Sequence, residues 1–139
     1  MRDKSTYYKR MFIGAAVWNW GGALPLCFAH TWTYERLGMT LPPSPVFDQS
    51  FAALVFVFGL GYLRVSHDLR FGQEIVRLGS LAKLLLVITH AWWAVQGNIP
   101  LTMLAPGIID MIFVLLFFEY LRNGPKPDGS KPLTPVEQP

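Results

Sequence analysis

The sequence predicts an all-α fold, namely a membrane four-helix bundle made of two antiparallel helical hairpins with both termini in the cytoplasm. The first observation is composition, because 52 % of the 139 residues are hydrophobic and only 15 % are charged. The second is the presence of four apolar segments, each near the length of about 20 residues that a helix needs to cross a bilayer. The third is the placement of Lys and Arg, which cytoplasmic loops hold in excess. Of the twelve such residues, only Arg36 falls in a segment predicted to face the outside.

A long loop separates the first two predicted helices, which lie at about residues 9–30 and 50–65. The loop contains Leu41-Pro42-Pro43-Ser44-Pro45, and Pro in a helix interior removes a hydrogen bond and clashes with the preceding turn. The uncharged part of helix two is short. We therefore expect either that Arg64 extends to the cytoplasmic interface or that residues 45–49 enter the membrane.

A tight turn joins the last two predicted helices, which lie at about residues 78–96 and 100–122. A polar cytoplasmic connection precedes helix three, and Gly97-Asn98 forms the outer turn. Pro100 fits the first turn of helix four, where its missing N–H costs little. The transmembrane domain thus covers residues 1–122. The tail, residues 123–139, is rich in Pro, Gly, Ser and Lys and is predicted to be disordered in the cytoplasm.

The composition also bears on location and partners. The basic residues flank apolar helices and form no stripe with interleaved aromatics, so the lipid bilayer rather than a nucleic acid is the expected partner. Other membrane subunits or further copies of the chain remain open as partners. A cleaved signal peptide is the alternative for the first segment, but the apolar run from Met11 to Ala29 is longer than a signal core and three apolar segments follow. We expect this segment to be retained in a bacterial inner-membrane protein.

Polar side chains inside the membrane are costly unless they are paired or have a function. Four such residues lie inside the predicted helices, namely Asn19, Lys83, His90 and Asp110. Counted from the predicted cytoplasmic ends, His90 and Asp110 both lie about 12 residues deep, or about 18 Å. We therefore predict that these two side chains face each other. Lys83 shares the face of His90 and could extend either to Asp110 or to the inner headgroups. Asn19 could join the same polar network.

Two interpretations of these residues compete, and the structural one is favoured. Buried polar networks often only fix helix packing, but ionisable groups in membranes are also often proton-relay, quinone or ligand sites. No catalytic motif is present, and no catalytic residue is predicted. His30, His67 and His90 lie at different depths and cannot converge, so no metal site is predicted. No cofactor is predicted either, although a quinone or another lipid is left open.

Several short motifs resemble the DoxX-like group of small bacterial four-helix membrane proteins. They cover most of the chain before the tail and comprise Trp18-Asn19-Trp20-Gly21-Gly22, Leu37-Gly38, Phe58-Gly59-Leu60-Gly61-Tyr62, Gly79 through Lys83, and Asp110. The resemblance implies the same four-helix architecture. It implies little about activity, because most relatives are uncharacterised and some are associated with quinone-linked sulfur oxidation.

The sequence leaves three functions open. The first is a non-enzymatic accessory or small-ligand-binding protein of the inner membrane. The second is a subunit of a redox complex that binds quinone or lipid between helices three and four. The third is a proton-coupled carrier of small molecules, which would need an oligomer because four helices make a thin wall.

Overall fold

The computed structural model of the protein describes residues 4–70 and 72–126. These residues form five α-helices and no strand, which confirms the all-α prediction. The helices are α1 (Ser5–Phe28), α2 (His30–Leu37), α3 (Val46–His67), α4 (Gln73–Val95) and α5 (Leu104–Asn123), with a 3-10 helix at Leu101–Met103 before α5.

Four helical segments of the described chain are long and apolar enough to cross a membrane. They are α1, α3, α4 and the continuous segment Leu101–Asn123. A helix of 22 residues, the length of α3, extends about 33 Å, which matches the hydrocarbon core of a bilayer. Large apolar side chains remain exposed on these helices, among them Val17, Leu54, Leu85 and Leu115. Length and apolar surface together indicate a multi-pass membrane protein.

Three of the long helices begin earlier than predicted, namely α1, α3 and α4, whereas α5 begins at Leu104 rather than near residue 100. α3 begins at Val46 rather than near Ser50, and α4 begins at Gln73 rather than near Leu78. The turn added to α4 is polar and holds the exposed ion pair between Glu74 and Arg77. Hydropathy reports where apolar residues stop, whereas a helix continues through any residues that support its hydrogen bonds. Most of the predicted tail, residues 127–139, lies outside the described residues.

The predicted first loop contains a helix that the sequence did not reveal. α2 occupies residues His30–Leu37 and ends at Gly38, whose φ of 69° is left-handed. The N–H of Met39 donates to the carbonyl of Tyr34 at 3.0 Å, which closes the helix with the turn that favours glycine. Only eight residues long and largely polar, α2 carries no long apolar run that a sequence pattern could detect.

The main core lies at one end of the molecule, which we call the basic end. There the start of α1 meets the ends of α3 and α5, and the aromatic rings of Phe12 and Tyr120 pack edge-on with centroids 4.8 Å apart. Ala15 and Ala16 are fully buried, and small residues of this kind let helices approach closely. α1 packs mainly along α3, and α4 packs mainly along α5. An ion pair of 3.0 Å between Lys4 and Glu119 joins α1 to α5 at the surface.

Candidate functional site

A polar cluster lies in the middle of the long helices, formed by Trp18, Asn19, Lys83 and Asp110. The Lys83 ammonium lies 2.5 Å from Oδ1 of Asp110 and 2.9 Å from Oδ1 of Asn19. The side chains of Lys83 and Asp110 are each 7 % exposed. An isolated charge in this environment is costly, and pairing removes most of that cost. Lys83 therefore extends to Asp110, which is one of the two directions that the sequence left open.

Two consecutive residues of α1, Trp18 and Asn19, connect it to the other three long helices. Trp18 donates its indole N–H to Asp110 of α5 at 2.9 Å. Asn19 accepts from Lys83 of α4 and donates to the carbonyl of Val55 on α3 at 3.1 Å. Successive residues point about 100° apart around a helix, so neighbours in sequence can reach different helices. α1 is consequently the element that holds the cluster together.

The next residue along α1 reinforces the contact with α3. The indole N–H of Trp20 donates to the carbonyl of Phe56 at 3.2 Å. Its ring lies where Gly59 has no side chain, and a Cβ at Gly59 would overlap the indole. The glycine thus creates the space that brings α1 close enough to α3 for the hydrogen bond of Asn19.

Aromatic rings enclose the charged end of Lys83. Its Nζ lies 5.9 Å from the ring centroid of Tyr62 and 5.6 Å from that of Phe113. Both distances fall in the range of cation–π attraction, which strengthens when water is excluded. The ammonium is therefore satisfied by one carboxylate, one amide oxygen and two ring faces.

Only one of the two carboxylate oxygens of Asp110 accepts hydrogen bonds from the described residues. Its Oδ1 accepts from both Lys83 and Trp18, while its Oδ2 accepts no hydrogen bond from the described residues. Among the described residues, every fully buried side-chain oxygen or nitrogen has a hydrogen-bond partner. Because Oδ2 has none, it is not fully buried. It presents a negatively charged acceptor to a neighbouring space.

Open space lies beside one glycine of α1 and one glycine of α5 near the cluster, and we call this region the α1–α5 groove. Gly22 lies four residues after Trp18, and Gly107 lies three residues before Asp110. Each is one turn farther from the basic end than its neighbour in the cluster, and a Cβ on either glycine would meet no atom within 4 Å. Gly22 is exposed and Gly107 is buried, so the open space beside each of them lies one helical turn from Trp18 and Asp110.

The predicted contact between His90 and Asp110 is wrong. In the described residues His90 forms a hydrogen bond only within its own helix, where Nδ1 lies 2.8 Å from the carbonyl oxygen of Leu86. The prediction counted depth from Leu78, but α4 begins at Gln73. His90 is therefore about 25 Å from the start of α4 and Lys83 about 15 Å, and the long Lys83 stem covers the remaining height to Asp110.

The structure thus joins three of the four predicted residues and adds Trp18, which sequence reasoning used only as part of a motif. Nothing in its pattern distinguishes Trp18 from an interfacial aromatic, since α1 is apolar on most sides. Among the described residues, no group of three His, Cys, Asp or Glu side chains could hold a metal ion.

A second polar cluster lies at the end opposite the basic end and was not foreseen. Asp48 Oδ2 lies 2.8 Å from Nε2 of His30 and accepts from the hydroxyl of Tyr34 at 2.8 Å. Burial, and then the hydrogen bond to Asp48, raise the pKa of Tyr34 to about 12. This cluster fixes α2 against the first turn of α3.

The chain matches no protein family, no curated protein and no solved structure. The resemblance to the DoxX-like group therefore stays a prediction.

Proposed function

We propose that the chain is a non-enzymatic, multi-pass protein of the bacterial inner membrane that binds a small lipid-like ligand in the α1–α5 groove. The observations that support the proposal are that Oδ2 of Asp110 accepts no hydrogen bond from the described residues and that open space lies beside Gly22 and Gly107, one helical turn away. The ligand class is an apolar molecule with one hydroxyl or N–H donor.

The proposed topology is two antiparallel hairpins with both termini in the cytoplasm. Its support is that α1 packs along α3 and α4 packs along α5. Lys4 and Asn123, near the two ends of the described chain, line the same cleft. An excess of Lys and Arg at that end is typical of the cytoplasmic side.

Orientation can be tested by cysteine labelling in a Cys27→Ser background. Cysteine at Thr33 should react with an impermeant maleimide added to intact cells or spheroplasts, and cysteine at Lys126 should react only after lysis. Labelling of both before lysis, or of Lys126→Cys alone, would refute the topology.

A quinol is the second candidate for the ligand, because of the direction of the free hydrogen bond. A quinol hydroxyl can donate to Oδ2 of Asp110, whereas a quinone carbonyl needs a donor. The Trp18 N–H is already committed to Asp110, and the Lys83 ammonium to Asp110 and Asn19. The third N–H of the Lys83 ammonium lies near the rings of Tyr62 and Phe113, so we expect the site to favour the reduced form over the oxidised one.

The binding test uses the full chain in nanodiscs and a short-chain benzoquinol as the probe. Asp110→Asn should weaken quinol binding, and Gly22→Leu should block it by filling the groove. Ala53→Leu is the matched control, since it adds the same kind of side chain to an exposed position of α3. Equal quinol and quinone affinity would refute the redox candidate.

A separate experiment tests whether any apolar ligand, and not only a quinol, binds in the α1–α5 groove. Mass spectrometry of the protein extracted with native lipid should find a bound apolar molecule that is lost in Gly22→Leu and kept in Ala53→Leu. If both variants release or retain the same molecules, the groove is not a ligand site. Proton-coupled flux in liposomes that disappears in Asp110→Asn would instead favour the carrier that the sequence left open.

A further inference from the structure

A cleft at the basic end of the molecule has no role in the proposed ligand site. It has a volume of about 1020 Å³ and lies between the start of α1, the turn after α3 and the end of α5. The residues that matter for its chemistry are Lys4, Lys9, His67, Asp68 and Arg70.

The charge of the cleft is positive. Among the described residues, three cationic side chains and one carboxylate line it, so this part of the lining carries a net charge of +2 with His67 neutral. The carboxylate of Asp68 already accepts the backbone N–H of Arg70 at 3.1 Å, which turns it toward its own loop. Glu119, just outside the lining, pairs with Lys4 at 3.0 Å and raises the pKa of that lysine. Lys4 therefore stays charged at neutral pH.

Two side chains in the cleft have no partner in the described residues. Neither Lys9 nor His67 forms a hydrogen bond or ion pair there, although both line the same space. An ammonium and an imidazole together can donate hydrogen bonds to adjacent oxygens of one anion. Both side chains are exposed, so a ligand in the cleft can reach them.

The walls of the cleft are held in place by hydrogen bonds between distant parts of the chain. The hydroxyl of Tyr120 donates to the carbonyl of Leu69. Gln73 donates its side-chain amide to the carbonyl of Pro125 at 3.2 Å. The turn after α3 and the start of α4 are thus tied to the end of α5, which holds the backbone of these two walls in place.

We propose that this cleft binds a phosphate group, either the headgroup of an anionic phospholipid or a soluble phosphate. The size of the cleft, its positive charge and the two unpartnered donors carry the assignment. Basic pockets between helices at the cytoplasmic surface bind anionic headgroups for the same electrostatic reason. The site is separate from Asp110, so the two proposals can fail independently.

The experiment measures thermal stability and native mass spectra of the full chain in neutral detergent. The probes are phosphatidylglycerol, phosphatidylcholine, and inorganic phosphate with matched sodium chloride. Phosphatidylglycerol should stabilise the protein more than phosphatidylcholine. Lys9→Gln and His67→Gln should each weaken that binding, by about fivefold for the lysine, since one basic residue near a membrane contributes about 1 kcal/mol.

Arg36→Gln is the matched control, because it removes one cation from α2, where the guanidinium stacks over Trp32. Loss of affinity in Lys9→Gln but not in Arg36→Gln supports the site, and Lys9→Arg should keep the affinity. Equal stabilisation by inorganic phosphate identifies a soluble ligand, whereas stabilisation by the lipid alone identifies a headgroup. Equal losses in Lys9→Gln and Arg36→Gln, or no preference for any phosphate probe over its neutral or chloride control, would overturn the proposal.

Discussion

The indole N–H of Trp18 and the ammonium of Lys83 converge on the same oxygen of Asp110, at 2.9 Å and 2.5 Å. One carboxylate oxygen thus joins α1, α4 and α5 through two donors. Sharing one acceptor in this way orients the carboxylate and leaves its second oxygen without a hydrogen bond from the described residues. Both the stability of the helix packing and the proposed binding depend on this arrangement.

The first prediction concerns the ion pair. Asp110→Leu should lower the free energy of unfolding in detergent by about 3–5 kcal/mol, because it leaves Lys83 buried without a counter-ion. The double variant Lys83→Met with Asp110→Leu should recover much of that loss. Chemical denaturation followed by circular dichroism measures both. If the double variant is as unstable as Asp110→Leu, the cost is not that of an unpaired charge.

The second prediction concerns His90, which lies outside the cluster. Its ring bonds to its own helix, so His90→Gln should change the free energy of unfolding by no more than about 0.5 kcal/mol. The same variant should leave ligand retention unchanged. A loss as large as that of Asp110→Leu would restore the contact that the sequence first predicted.

The third prediction concerns the close approach of α1 and α3. Gly59→Ala should destabilise the protein by about 1–3 kcal/mol, because the added methyl group overlaps the Trp20 indole and forces the helices apart. Gly14→Ala is the control, since a Cβ there meets no atom within 4 Å and alanine favours the helix. The melting temperature should therefore fall in Gly59→Ala, and it should rise or stay unchanged in Gly14→Ala. Equal losses in both would mean that helix geometry rather than packing is at fault.

The fourth prediction concerns the contribution of Tyr34 to the pH dependence of the free energy of unfolding. Its pKa of about 12 in the folded protein lies above the ordinary 10.0, so the folded state holds the phenolic proton more tightly than the unfolded state does. The stabilising contribution is fully present below pH 10 or so, and it is lost as the pH rises from there toward about 12. Melts at a series of alkaline pH values should show a steeper fall for the unaltered protein than for Tyr34→Phe. Parallel curves would contradict the raised pKa.

The sequence predicts those parts of this fold that depend on hydropathy alone. Four apolar segments suffice to find α1, α3, α4 and α5, since each is long and apolar. α2 was missed because it is short and polar, and its stability comes from contacts of His30 and Tyr34 with Asp48 that only the folded chain creates.

The sequence predicted only part of the candidate site, because helix starts and helix rotation are not fixed by hydropathy. Depth along a helix can be counted from sequence only when the helix start is known, and counting from Leu78 set His90 rather than Lys83 at the level of Asp110. Rotation about the helix axis and the exact helix start cannot be read from a segment that is apolar on most sides. Those two quantities decided that Lys83 rather than His90 reaches Asp110, and that Trp18 joins them.

The pairing of Lys83 with Asp110 also has a consequence for biogenesis in the proposed membrane arrangement. The two residues are 27 positions apart, so α4 is synthesised before its counter-ion exists. A lone lysine at mid-helix opposes insertion by about 2.5–3.5 kcal/mol. α4 should therefore wait at the translocon until α5 emerges, and the two helices should leave it for the lipid together. A nascent chain stalled before Asp110 would expose an uncompensated charge, which marks it for degradation by membrane quality control.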